Sequence, residues 1–152
     1  MFLIGIDPGK TGAVAVINKL YATQMVKVFD CPETIPAMAQ IIRPYAVYCV
    51  AAIEKVNAYY KSSAKSAFSF GENFGAWQAI LAAHNIPYHF VTPRTWQKCV
   101  FDSAKRLDNP KKQTVELAER MFPEIVFKTK RGRLIDGRAD AVLIAEWLRR
   151  QK

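Results

Sequence analysis

Four acidic residues stand where apolar segments end or begin. Asp7 follows the run Phe2-Leu3-Ile4-Gly5-Ile6, and Glu54 closes the run Val47-Tyr48-Cys49-Val50-Ala51-Ala52-Ile53. Asp136 and Asp140 open the last apolar segment. A charge brought near a core is costly unless something compensates it. Carboxylates at the ends of neighbouring strands, joined by two more from a helix start, repel one another. The usual compensation is a hard divalent cation, and such a site suits phosphate chemistry. Each acid also has a plainer reading. Asp7 lies in the segment G-I-D-P-G-K-T-G, Gly5 to Gly12, where Asp suits an ordinary hairpin turn. Glu54 has Lys55 beside it as a possible counter-ion. Asp136 and Asp140 are four apart, so on a helix they share a face; there Asp136 would be the N-cap and Asp140 a first-turn acid favoured by the helix dipole.

The charge balance points the same way as the acids. Twenty-two Lys and Arg against thirteen Asp and Glu give the 152-residue chain a net charge of +9, which suggests a polyanionic partner. A carboxylate metal site inside a basic protein implies a nuclease. Cys31, Cys49 and Cys99 are odd in number and far apart, and no C-x-x-C or H-x-x-H pair is present, so neither a zinc site nor a disulfide framework is expected. His84 and His89 read as structural residues, since carboxylates already account for a hard-metal site. The spacing G-x-x-x-x-G-K-[ST] is absent, so there is no P-loop, and no nucleotide cofactor is expected. No apolar stretch approaches a membrane span, and no basic region precedes the first apolar run as in a signal peptide. These features predict a soluble, cytoplasmic protein.

The elements that must position the acids follow from periodicity and punctuation. Phe2–Ile6 reads as a strand, Asp7–Gly12 as its turn, Gly12–Ile17 as the return strand and Ala22–Phe29 as a third strand. Glu33–Arg43 has helical spacing and ends at Pro44. Val47–Ile53 is apolar throughout, as in a strand covered on both faces. Ala64–His84 is a long helix with Ala67, Phe70, Phe74, Trp77 and Leu81 on one face and Phe68, Gly71, Gly75 and Ala79 on another, so a second subunit could cover it. Pro87–Val91 is a short strand. Arg94 to Lys112 carries six basic residues and two acidic ones, with Pro93 and Pro110 as breaks; Lys128 to Arg138 carries five basic and one acidic. Thr114–Phe122 and about Gly137–Arg150 read as helices. The order predicts one α/β domain over residues 1–152, with a mixed sheet of antiparallel and parallel pairs flanked by helices.

Together the four acids give the chain a family likeness. From I-G-I-D-P-G to D-G-R-A-D-A-V-L-I-A-E-W it resembles the RuvC-type Holliday junction resolvases, and its small size and D-G-R-A-D-A form are most similar to the versions carried by phages. The resemblance implies a ribonuclease H-like fold with a five-stranded sheet, three antiparallel strands followed by parallel ones. It implies that Asp7, Glu54, Asp136 and Asp140 bind divalent metal, Mg²⁺ with Mn²⁺ as a substitute. It also implies a homodimer through the Ala64–His84 helix that nicks a four-way DNA junction symmetrically, leaving 5′-phosphate and 3′-hydroxyl ends, in the host cytoplasm if phage-encoded. Tyr59 or Tyr60 would take the place of the family's junction-wedge aromatic, with Lys61 beside them, and Arg94 and Lys112 that of its basic residues. Their plainer readings are packing aromatics and solvated helix surface. The sequence departs from the family at one place. The bacterial enzymes have their last two acids three apart, whereas here Gly137 occupies the aligned position and Asp136 precedes it. A flap, branched-DNA or structured-RNA nuclease of the same fold, an idle branched-DNA-binding module, and an actin-like ATPase (for which the chain is short) are the rival readings.

Overall fold

The computed structural model describes residues 1–21, 25–55, 63–101 and 109–151. Its five strands form one sheet in the order β3-β2-β1-β4-β5. β1 (Phe2–Asp7), β2 (Ala13–Asn18) and β3 (Val26–Asp30) make an antiparallel meander. β4 (Cys49–Glu54) and β5 (Tyr88–Val91) add in parallel on the other side of β1. The parallel pairs require crossovers, supplied by α1 (Ile35–Ile42) before β4 and α2 (Ala64–Ala83) before β5. α3 (Pro93–Val100), α4 (Pro110–Met121) and α5 (Asp136–Arg150) follow.

Alternation along the strands divides the core into two layers. Ile4 and Ile6 of β1, Val14 and Val16 of β2 and Ala51 and Ile53 of β4 pack under α1 and α2, against Met38, Ile42, Trp77, Ile80 and Leu81. Leu3, Ala15, Ile17 and Ala52 face the opposite way, onto Trp96 and Val100 of α3, Val115 and Ala118 of α4 and the buried stripe of α5 from Ala139 to Leu148. Asp7 and Glu54 continue the second series by the same period of two, so both point toward the α3, α4 and α5 side.

α5 lies on the sheet almost backbone to backbone. A Cβ built on Gly5 would stand 2.2 Å from the carbonyl oxygen of Ala141 and 2.4 Å from the nitrogen of Ala145. The glycine and the small residues facing it are therefore required for the approach, which sets the height of the helix above β1. The turn after β1 is fixed separately. Gly9 has φ +125°, and its N–H donates to Asn73 Oδ1 of α2 at 2.8 Å, while Asn73 Nδ2 donates to Cys31 Sγ at 3.1 Å.

Several boundaries differ from the periodicity reading, each for a local reason. Pro93 and Pro110 open helices instead of breaking them. They occupy the first helical position, where no N–H is needed, behind the capping side chains of Thr92 and Asn109. Val47 and Tyr48 lie outside β4 and are exposed, because Arg43–Tyr45 forms a 3-10 turn and Tyr48 N–H donates to Tyr45 O. Asp136 is the first residue of α5 and not its cap; Ile135 holds the cap position and makes no side-chain capping bond. Asp140 lies beyond the first turn. The capping and first-turn readings of these two acids are thus corrected. Among the described residues, no helix is long and apolar enough to cross a membrane.

Candidate active site

The register between β1 and β4 pairs Phe2 with Cys49 and runs through Ile6 and Ile53, so one further step sets Asp7 beside Glu54. Neighbouring strands lie roughly 4.8 Å apart. The beginning of α5 brings Asp136 and Asp140 over the same strand ends, because Gly137 rests on the turn between β1 and β2. A Cβ on Gly137 would stand 2.2 Å from Thr11 O and 2.9 Å from Gly12 Cα. This contact leaves no room for a side chain at position 137 without a shift, and the acid at the start of the helix stands one residue earlier, at Asp136.

The carboxylates crowd one another. Burial, followed by the charges of Asp140, Glu54 and Asp136, holds the Asp7 carboxyl well above the usual carboxylate range, against the lowering influence of Lys111. Asp140 is pushed up to about 8, first by burial and then by Glu54 and Asp136, with Lys111 again opposing. Burial also raises Glu54, which is 7% exposed, and its hydrogen bond with Trp96 works in the other direction.

Two of the four acids are engaged by other side chains. Trp96 Nε1 of α3 donates to Glu54 Oε1 at 2.6 Å within the core, and Lys111 Nζ of α4 bonds Asp136 Oδ2. Lys55 does not serve Glu54; its ammonium lies 5.3 Å from the centroid of the Phe90 ring. Among the described residues, no three His, Cys, Asp or Glu side chains stand as a finished cage for a metal ion. The donor chemistry nevertheless suits a hard cation, being all carboxylate oxygen. Among the described residues, the cation paired with these acids is Lys111, whose side chain is 74% exposed.

Sequence reasoning reaches the acids and misses the two groups that hold them. Lys112 is the basic residue expected near the site, but it faces Glu116 at 3.8 Å, and its neighbour Lys111 reaches the carboxylates. Knowing that Pro110 opens α4 would have fixed the helical phase that separates the two lysines. Trp96 gives no signal of its own in the sequence. Arg94 is exposed on α3. Tyr59, Tyr60 and Lys61 lie outside the described residues.

The mixed sheet flanked by helices, with acids at the ends of two parallel-paired strands and on the last helix, has a ribonuclease H-like fold. Among solved structures, Thermus thermophilus RuvC in complex with a Holliday junction substrate superposes with a TM-score of 0.63 at 14% identity, over 97% of this chain and 92% of that one. A second Thermus thermophilus RuvC structure gives 0.57 at 16%, with the same coverage. The fowlpox virus resolvase in complex with substrate Holliday junction DNA gives 0.54 at 16%, over 93% and 95%. No protein-family model matches the sequence, and no curated protein matches it in sequence.

Proposed function

We propose that residues 1–152 form a single nuclease domain that resolves four-way DNA junctions by paired, symmetric nicks, in a reaction dependent on divalent metal. The observation that carries this reading is the convergence of four crowded carboxylates at one end of the sheet in a chain of net charge +9. It is supported by the likeness in fold to two proteins crystallised with Holliday junctions. Asp7, Glu54, Asp136 and Asp140 would hold the metal. When bound, Mg²⁺, or Mn²⁺ in its place, supplies the charge that activates water and stabilises the leaving 3′ oxygen, giving 5′-phosphate and 3′-hydroxyl ends. Asp7 and Asp140 would give up protons to hold a metal, since burial and mutual repulsion favour their neutral forms. Lys111 would then release Asp136 and be available to a DNA phosphate. Arg94, Lys112 and the exposed Lys130, Arg131 and Arg133 before α5 supply further phosphate contacts.

The experiment is cleavage of labelled four-way junction, flap, duplex and RNA in Mg²⁺ or EDTA. Preferential, symmetric nicking of the junction in Mg²⁺ alone is expected. Preference for flap or RNA would redirect the substrate class, and binding without cleavage would make this an idle junction-binding module. Asp136→Asn removes an ion pair and no cap, so the variant is expected to melt within about 1 kcal/mol of wild type and to cut poorly. Normal cutting in Mg²⁺ would free Asp136 from the ligand set.

A second copy of the chain completes this reading. α2 buries Trp77, Ile80 and Leu81, while Phe68 is 70% exposed and nothing stands within 4 Å of a Cβ placed on Gly71 or Gly75. Such a smooth face with one projecting ring suits close helix–helix contact between copies. Phe68→Glu is expected to yield folded monomers in sedimentation, whereas Trp77→Glu, which puts a charge in the core, is expected not to fold. A folded Phe68→Glu protein that remains dimeric would move the interface off this face.

A further inference from the structure

The geometry points to Trp96 as a positioning residue for metal binding: its buried indole N–H holds one oxygen of Glu54 and leaves the other to the cation. This inference rests on the metal-dependent reading above. Trp96 and the Glu54 carboxylate lie together under α3, the indole wholly out of solvent, and Nε1 meets Oε1 at 2.6 Å. Three properties of this contact matter. The indole has a single N–H and no acceptor, so it engages one oxygen only and Oε2 is left for another partner. It is neutral, so it fixes the carboxylate without cancelling the negative charge that attracts a cation. It is also embedded in the α3–α5 core layer with Val100, Val115 and Phe122, so it cannot swing away as the exposed Lys111 can. Asp136 is thus held by an exposed partner and Glu54 by a buried one. Partners that orient a ligand in this way usually contribute 10–100-fold to metal affinity.

The fold contains its own control. Trp77 is equally buried, on the opposite face of the sheet, and among the described residues its Nε1 has no hydrogen-bond partner. Trp96→Phe and Trp77→Phe therefore remove the same volume from the core, but only the first removes an N–H from a carboxylate. Mn²⁺ binding, read from the loss of the free-ion electron paramagnetic resonance signal, is expected to weaken about tenfold or more in Trp96→Phe and to match wild type in Trp77→Phe. A second measurement needs no variant. In wild-type protein the Trp96 indole ¹H–¹⁵N resonance is expected to shift as Mg²⁺ is added, while that of Trp77 stays in place. If Trp96→Phe binds Mn²⁺ as tightly as Trp77→Phe, or if the Trp96 resonance ignores Mg²⁺ while the protein binds it, the positioning role is overturned and the metal reading stands. Wild-type protein that takes up no Mn²⁺ at all overturns both.

Discussion

Asp140→Asn is expected to abolish junction cleavage and, in metal-free buffer near pH 8, to melt above wild type. The two effects have one origin. Asp140 is a candidate ligand whose loss should exceed the roughly 10–100-fold typical of an outer-shell partner. It is also a carboxyl that folding places among other carboxylates and raises from an ordinary 3.8 to about 8. The sign follows from linkage. A carboxyl raised on folding contributes stability that is complete below its unfolded value, near pH 4, and that is lost as the pH climbs through about 8. Metal-free wild type should therefore weaken across that window, and the amide should not. Asp7 acts in the same sense. Mg²⁺ should raise the wild-type melting temperature more at pH 8 than at pH 5, and leave Asp140→Asn almost unmoved. Melting curves at the two pH values, with and without Mg²⁺, test this. A wild-type protein whose metal-free stability is flat between pH 5 and pH 8 would remove the carboxylate crowding on which the argument depends.

Gly137→Asp is expected to fail as a nuclease although it adds an acid beside Asp136. The new Cβ would meet the Thr11 carbonyl oxygen at 2.2 Å and Gly12 Cα at 2.9 Å. These are backbone atoms of the turn after β1, which Asn73 also holds through Gly9. Neither side can yield as the tip of a flexible side chain does, so the helix start must lift or the turn must open. Overpacking of this kind costs about 1–3 kcal/mol, or roughly 2–12 °C in melting temperature for a chain of this size. Because the lifted segment carries Asp136 and Asp140, cleavage should be lost in the fraction that still folds. Thermal melting followed by circular dichroism, with junction cleavage on the same sample, checks both. Undiminished stability would mean that α5 does not rest on the turn as described.

Much of this arrangement is legible in the amino-acid sequence. Apolar runs of the right length ending in single acids mark β1 and β4, and the D-G-R-A-D segment before an amphipathic stretch marks α5. Together they bring out the fold and the acids. Other features depend on partners that periodicity does not reveal. The roles of Gly5 and Gly137 are set by helix backbone packed against strand and turn, which appears in sequence only as an unremarkable small residue. Trp96 reads as one more core aromatic until α3 is known to start at Pro93. Lys111 and Lys112 are chemically identical neighbours, distinguished only by about 100° of helical phase. The capping reading of Asp136 fails because an acid before an apolar helix fits both the cap and the first turn, and the local pattern does not say which.

The position of α5 bears on when this protein becomes able to act. Asp7 lies in β1 and Asp140 in α5, so the two acids are neighbours only after the chain between them has been synthesised and α5 has docked. A growing chain that has not yet reached Asp136 holds two of the four carboxylates and has an uncovered sheet face where Leu3, Ala15 and Ile17 would meet that helix. Assembly of the four acids and burial of that face arrive in the same event. For a protein proposed to cut DNA, completion of the fold would then be a safeguard in its own right, since copies truncated before α5 would lack two of the four acids.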